Sequence, residues 1–235
     1  MLFSRRAHPT LPDSDLSVQD HQLLCRVSQF KYLGLNFSED LSWSHHIHIQ
    51  CKKSHKLLGI QFRHFYAHCN SRTLYILFKL VILPHLEYGC VVWDPHLSKD
   101  ISTIENVHKF ALKVCSKQWR ASYKSLCNII HAPSMSERRT QLRLITLYNI
   151  LHGNLSVPSH SMTSKHLPYA TRLINKHQLV VPYCRTNSFK NSFFPFAISH
   201  WNNLSFDTKR VTSQAMFRNL LMQRPIASLL LLLLL

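Results

Sequence analysis

The feature that most restricts the fold of this chain is a change of hydrophobic period near residue 42. Upstream, apolar residues come in short runs: Leu16 to Val18, Leu23 to Val27 and Phe30 to Phe37, the first two flanking the polar turn Gln19-Asp20-His21-Gln22. Such runs bounded by turn residues read as strands, the first two as a hairpin. Gly34 interrupts the third run, and a glycine inside a strand marks a bulge or a close backbone approach. Downstream, apolar residues recur every three or four positions, which is the signature of amphipathic helices.

The helical part has its own punctuation. Ser42 or Ser44 is placed to cap a long helix reaching about His68, with Leu57, Leu58, Ile60, Phe62 and Phe65 on its apolar side. Asn70 or Ser71 opens the next helix, and Pro84 must kink or break it, because proline lacks the N–H and collides with the preceding turn. The chain continues from Leu86 to Trp93 and stops at Asp94-Pro95. Ile101, Ile104, Val107, Ala111 and Val114 then step along one face of a helix over about 99–117. A short helix follows over Tyr123 to His131, and Ser134-Met135-Ser136-Glu137 has the spacing of a capping box for a helix ending at Gly153. Beyond it the pattern weakens. Leu179 to Tyr183 suits a strand, Phe193 to Leu204 a short aromatic helix, and Ser213 can cap a last helix through Met222. The expected fold is therefore mainly α with a small N-terminal β element. Its divisions are 1–40 (β), 41–153 (helical), 154–222 (short helices and irregular segments) and a low-complexity Leu tail over 223–235.

Charge narrows the function. Lys and Arg number 28 against 11 Asp and Glu, a formal excess of +17, so a polyanion is the expected partner, nucleic acid first and an anionic membrane second. The 17 His add reserve positive charge on mild acidification. No acidic residue occurs from 41 to 86, a stretch holding Lys52, Lys53, Lys56, Arg63, Arg72 and Lys79 with seven His. Lys52, Lys56 and Arg63 share one helical face, and a row of cations at that spacing can follow a phosphate backbone. In isolation such a row reads as a solvated basic face; the absence of nearby acids tips the reading towards nucleic acid.

Other chemistries find little support. The seven Cys are odd in number and form no CxxC, so they read as reduced core thiols of an intracellular, cytoplasmic or nuclear protein. His48, Cys51 and His55 share a helical face but lack a fourth ligand, and no metal site is assigned. No GxSxG, HExxH or Walker sequence occurs, and the only adjacent acids, Glu39-Asp40, fall in a turn; no catalytic residue is assigned. The seven terminal Leu, with Ile226 and Ala227, fall well short of the roughly 20 apolar residues of a membrane span, so no stable insertion is expected.

Several stretches taken together carry a family likeness: MLFSRR (1–6), FKYLGLNFSEDLSWSHHI (30–47), LGIQFRHFY (58–66), LPHLEYGCVVWDPHLSKDI (83–101), IENVHKFALKVC (104–115) and WNNL (201–204). In order and spacing they resemble the carboxy-terminal part of the reverse transcriptase of non-LTR, LINE-type retrotransposons of the jockey-like group. The resemblance covers nearly all of residues 1–222. It implies that 1–6 correspond to the last strand of the palm, that the KYLGL stretch is a primer-grip hairpin, and that the following helices are a thumb gripping template and primer. Carried over by motif, Lys31, Tyr32 and Gly34 would sit at the primer terminus, Gly34 letting backbone approach phosphate, while Leu33 packs on the thumb core. Trp43 and Trp93 read as core anchors rather than stacking platforms. The family's catalytic aspartates, which hold its Mg2+, belong upstream of the first residue here, so the expectation is a truncated, noncatalytic fragment with template–primer binding as its residual role and no cofactor of its own. The alternatives are a pseudogene product without a role and a basic membrane-associated protein using the Leu tail.

Overall fold

The computed structural model describes residues 27–157 and 178–223. The hairpin expected over Leu16–Val27 lies outside them except for Val27, and the Leu tail lies wholly outside.

The aromatic run, read by its period as one interrupted strand and by the family resemblance as a hairpin, folds as a hairpin. Strands β1 (Gln29–Tyr32) and β2 (Leu35–Ser38) pair antiparallel, Gln29 opposite Ser38 and Tyr32 opposite Leu35. The turn is Leu33-Gly34, with φ of 46° and 81°. Two consecutive positive φ values define a type I′ turn, whose twist matches that of the strands. Glycine adopts this conformation freely, whereas leucine is strained in it. The Tyr88 hydroxyl steadies the turn by donating to the Leu33 carbonyl at 2.9 Å. Leu33, expected in the core, is 72% exposed, because a turn tip projects away from the packed face. Leu35 and Phe37 of β2 make the core contact instead.

Helix α1 (Ser44–Phe65) follows, three residues shorter than expected. Its N-cap is Trp43, which makes no capping hydrogen bond, and the Ser44 hydroxyl donates across to Asp100 at 2.7 Å. Asn70 caps α2 (Ser71–Leu77), its side-chain oxygen accepting from the Thr73 amide at 2.8 Å. Pro84 does not break the chain there. A π-helical turn over Phe78–Ile82 widens the spiral, and Pro84 falls in the first turn of α3 (Leu83–Glu87), where a missing N–H costs little. The real break comes at Tyr88-Gly89: Gly89 has φ 64° and starts the short α4 (Cys90–Trp93).

Helix α5 (Ser98–Ser116) runs parallel to α1: Ser44 meets Asp100, the His55 ring meets Phe110 at 6.1 Å, and Tyr66 meets Trp119 just beyond the end of α5. Ser122 caps α6 (Tyr123–Ile130). The capping box at Ser134 and Glu137 is present and opens α7 (Met135–Leu151). The remaining helices among the described residues are α8 (Asn187–Lys190), α9 (Phe193–Asn202), α10 (Phe206–Lys209) and α11 (Gln214–Gln223). The strand expected over Leu179–Tyr183 is reduced to a single bridge residue, Leu179, whose backbone the Asn202 side chain also clamps, accepting from the Leu179 amide at 3.0 Å and donating to its carbonyl at 2.8 Å.

The fold is mainly α with one small β element near its start. The principal core gathers Leu35, Ile47, Leu58, Leu74, Phe78, Ile82 and Leu86 with Trp93 and the inner face of α5. A second core joins α7 to α9 and α11 through Leu144, Tyr148, Trp201 and Phe217. Met135 enters the first core and Leu144 the second, so α7 is shared by both. Trp93 is fully buried; Trp43 is half-buried against the same cluster.

Candidate nucleic-acid interface

Helix α1 sorts its side chains by period. Ile47, Cys51, Ser54, Leu58 and Gln61 are buried, and they form one stripe at three- and four-residue spacing. At about 100° per residue, Lys52, Lys56 and Arg63 fall on the opposite side of the cylinder. All three are exposed, and the row spans roughly 16 Å at 1.5 Å per residue. Lys53 is exposed as well but lies on a neighbouring row. It follows His46 by two turns on the same side, and His46 is where the hairpin docks: its Nδ1 accepts from the Asn36 amide at 3.2 Å. The four cations expected from sequence thus form a row of three plus one turned towards the hairpin.

The hairpin residues occupy its outer strand and tip. Lys31 pairs across the ladder with Asn36, so the residue that binds His46 is its immediate neighbour. Lys31 is exposed and Tyr32 is 58% exposed. Gly34 has a structural reason of its own: a Cβ there would lie 3.0 Å from the Tyr88 ring, and φ is positive. The close approach it permits in this structure is to an aromatic ring.

His46 fixes the hairpin to α1 in an apolar setting. Its ring packs edge-on to Trp43 and Trp93 at 6.2 and 5.4 Å, and burial pushes its pKa down to about 4, with the charge of Lys53 acting in the same direction. It is therefore neutral at pH 7 and serves as a hydrogen-bond acceptor.

The carboxylates are engaged elsewhere. Glu87 forms a two-pronged ion pair with Arg138. Asp94 accepts from Arg139 Nε at 2.7 Å and meets Arg143 Nη1 at 3.1 Å, both arginines being almost wholly buried. Glu105 crosses to the start of α7, where it accepts from the Ser136 and Met135 amides at 2.7 and 3.2 Å and from the Tyr123 hydroxyl. Asp100 holds Ser44, and Glu137 closes the capping box. None of the ion pairs among the described residues involves Lys52, Lys53, Lys56 or Arg63.

The His48–Cys51–His55 trio does not converge: Cys51 faces the core while both histidines are exposed. Among the described residues no group of three or more His, Cys, Asp or Glu is placed to hold a metal. Burial pushes the Cys51 thiol up to about 11 and those of Cys90 and Cys115 to about 12, so none is an activated nucleophile at neutral pH. No helix among the described residues is long and apolar enough to cross a membrane.

Two exposed cations beyond the sequence-derived set, Lys117 and Arg120, stand at the end of α5 beside the end of α1. The Lys-Gln-Trp-Arg run carrying them is a basic stretch with an aromatic inside it, a signal that periodicity within helices passes over because it begins where α5 ends. Comparison with protein-family models, with curated proteins and with solved structures finds no match to the chain.

Proposed function

We propose that this chain binds nucleic acid without catalysing a reaction on it, as the primer-grip and thumb portion of a reverse transcriptase of the LINE type would. The observation that carries the reading is the charge sorting on α1: an exposed row of Lys52, Lys56 and Arg63 backs directly onto a buried stripe, with no carboxylate among the described residues paired to it. Phosphates spaced along a duplex strand are the natural counter-charge for cations repeated along a rigid rod. The His46–Asn36 bond favours the same reading, because it ties the hairpin carrying Lys31 and Tyr32 to the start of the cationic helix. A strand end at the hairpin and a duplex along α1 is the arrangement a grip and thumb require.

The chain is proposed to contribute no polymerase chemistry. Glu87, Asp94, Glu105 and Glu137 are each tied to an arginine or to backbone amides, which leaves them ill suited to binding the paired metal ions of phosphoryl transfer.

Fluorescence anisotropy with a labelled RNA–DNA duplex tests both parts. The expected result is sequence-tolerant binding that weakens steeply between 50 and 200 mM salt, and no primer extension when Mg2+ and nucleotides are added. Binding indifferent to salt, or incorporation above background, contradicts the reading.

A further inference from the structure

The parallel course of α1 and α5 brings their C-terminal ends together, and four aromatic rings collect there. Phe62 and Tyr66 from the end of α1 meet Trp119 at 5.9 and 6.2 Å between ring centroids, and Phe110 of α5 meets it at 6.1 Å. The Trp119 indole N–H donates to the Tyr66 hydroxyl at 3.1 Å, which fixes its orientation. These rings are not closed over by the rest of the fold: Trp119 is 41% exposed and Phe62 39%. None of the three neighbours lies parallel to the indole, the interplanar angles being 89°, 58° and 60°, so the contacts within the cluster are edge-on or tilted rather than stacked.

The surroundings are cationic. Lys117 lies over the Tyr66 ring at 5.3 Å, Arg120 is exposed one residue beyond Trp119, and Arg63 and His64 are exposed on the last turn of α1. No acidic residue occurs in 41–86 or in 106–136, the two stretches that supply every one of these groups. An exposed, oriented aromatic cluster in an acid-free basic rim matches unpaired nucleotides, whose bases stack on rings of any sequence while their phosphates meet the cations.

We propose that Trp119, with Phe62 and Tyr66, forms a stacking platform for a single-stranded stretch of nucleic acid, and that Lys117, Arg120 and Arg63 hold its backbone. The inference rests on the nucleic-acid reading above and extends it. The row on α1 leads towards this end of the helix, so a duplex lying along Lys52 and Lys56 would deliver its unpaired continuation to the platform.

The test compares a blunt RNA–DNA duplex, the same duplex with a five-nucleotide single-stranded extension, and the extension strand alone, using wild-type protein, Trp119→Ala and Trp119→Phe. Each protein's thermal unfolding is recorded alongside. The extension should tighten wild-type binding by roughly tenfold, Trp119→Ala should abolish that gain while leaving blunt-duplex affinity unchanged, and Trp119→Phe should keep most of it. Blunt-duplex binding with no gain from the extension overturns the platform and leaves the duplex reading intact. So does an equal loss by Trp119→Ala on both substrates with a lowered unfolding temperature, which would make the cluster a packing device. Failure of the wild-type protein to bind any of the three overturns both. Tight binding of the single strand alone supports the platform and counts against the duplex along α1.

Discussion

Helices α1 and α7 carry the same kind of charge and use it in opposite ways. On α7, Arg138, Arg139 and Arg143 turn inward and meet Glu87 and Asp94. On α1, Lys52, Lys56 and Arg63 turn outward, with no carboxylate among the described residues paired to them. A guanidinium is planar, weakly hydrated and able to make several directed bonds, so it can cross a core; Arg143 also lies over the Phe196 ring at 4.4 Å and donates to the Asn191 carbonyl. An ammonium on a flexible stem stays in water. Among the described residues, Glu87, Asp94, Asp100 and Glu105 are taken up in joining helices, which leaves them unable to offset the cations on the surface. Net charge alone does not separate the two uses; the position of the carboxylates does.

The sharpest way to break the contrast is to remove the acid at the centre of the interior set. Asp94→Ala leaves Arg139 and Arg143 buried without their common partner, and should destabilise the fold by about 3–5 kcal/mol. Thermal unfolding should shift down by roughly 10 °C for a chain of this size. A shift of a degree or two would mean that these arginines find water or other partners.

Acid attacks the interior from the other side. The folded pKa of His46 is lowered to about 4 and that of His108 to about 3, both chiefly by burial, below the 6.5 of an unfolded histidine. As pH falls through 6.5 the unfolded chain takes up protons that the folded chain refuses, so stability is intact above that pH and declines from there to about 4. The loss from His46 alone should be on the order of 3 kcal/mol. Urea midpoints between pH 7.5 and 4.5 measure it, and a flat profile contradicts neutral, buried imidazoles.

Glu105 provides a smaller interior test. It caps the first turn of α7 from a different helix, so Glu105→Ala should cost about 2 kcal/mol, measurable by denaturant unfolding. The smallest effect belongs to the outer row: replacing Lys52, Lys56 and Arg63 by Ala should leave stability within about 0.5 kcal/mol of wild type. A large loss there would mean that the row takes part in the fold after all.

Much of the helical frame was legible in the sequence, because a buried stripe leaves a 3.6-residue rhythm and caps leave fixed spacings. Asn70 and the Ser134–Glu137 box mark their helices, and the stripe through Ile104, Val107 and Ala111 is the buried face of α5. What escaped had no local signal. Leu33-Gly34 is a type I′ turn without the usual Asn or Asp in first position, held by a tyrosine 55 residues away. The π turn before Pro84 solves a steric problem that sequence only poses. The strand expected from Leu179 shrinks to one bridge residue, whose backbone the Asn202 side chain also holds. In the candidate site, the row on α1 followed from spacing, whereas the partnership of Trp119 with Phe62 and Tyr66 depends on two helices running parallel, which no single helix announces.

The central claim is that the outer row of α1, with Lys53 beside it, meets phosphates. The direct measurement is the slope of log K against log salt for an RNA–DNA duplex, with wild-type protein and with Lys52, Lys53, Lys56 and Arg63 replaced by Ala. Contact with four phosphates predicts a wild-type slope of about −3 to −4 and a markedly flatter one for the variant. An identical slope in the two proteins would remove α1 from the interface.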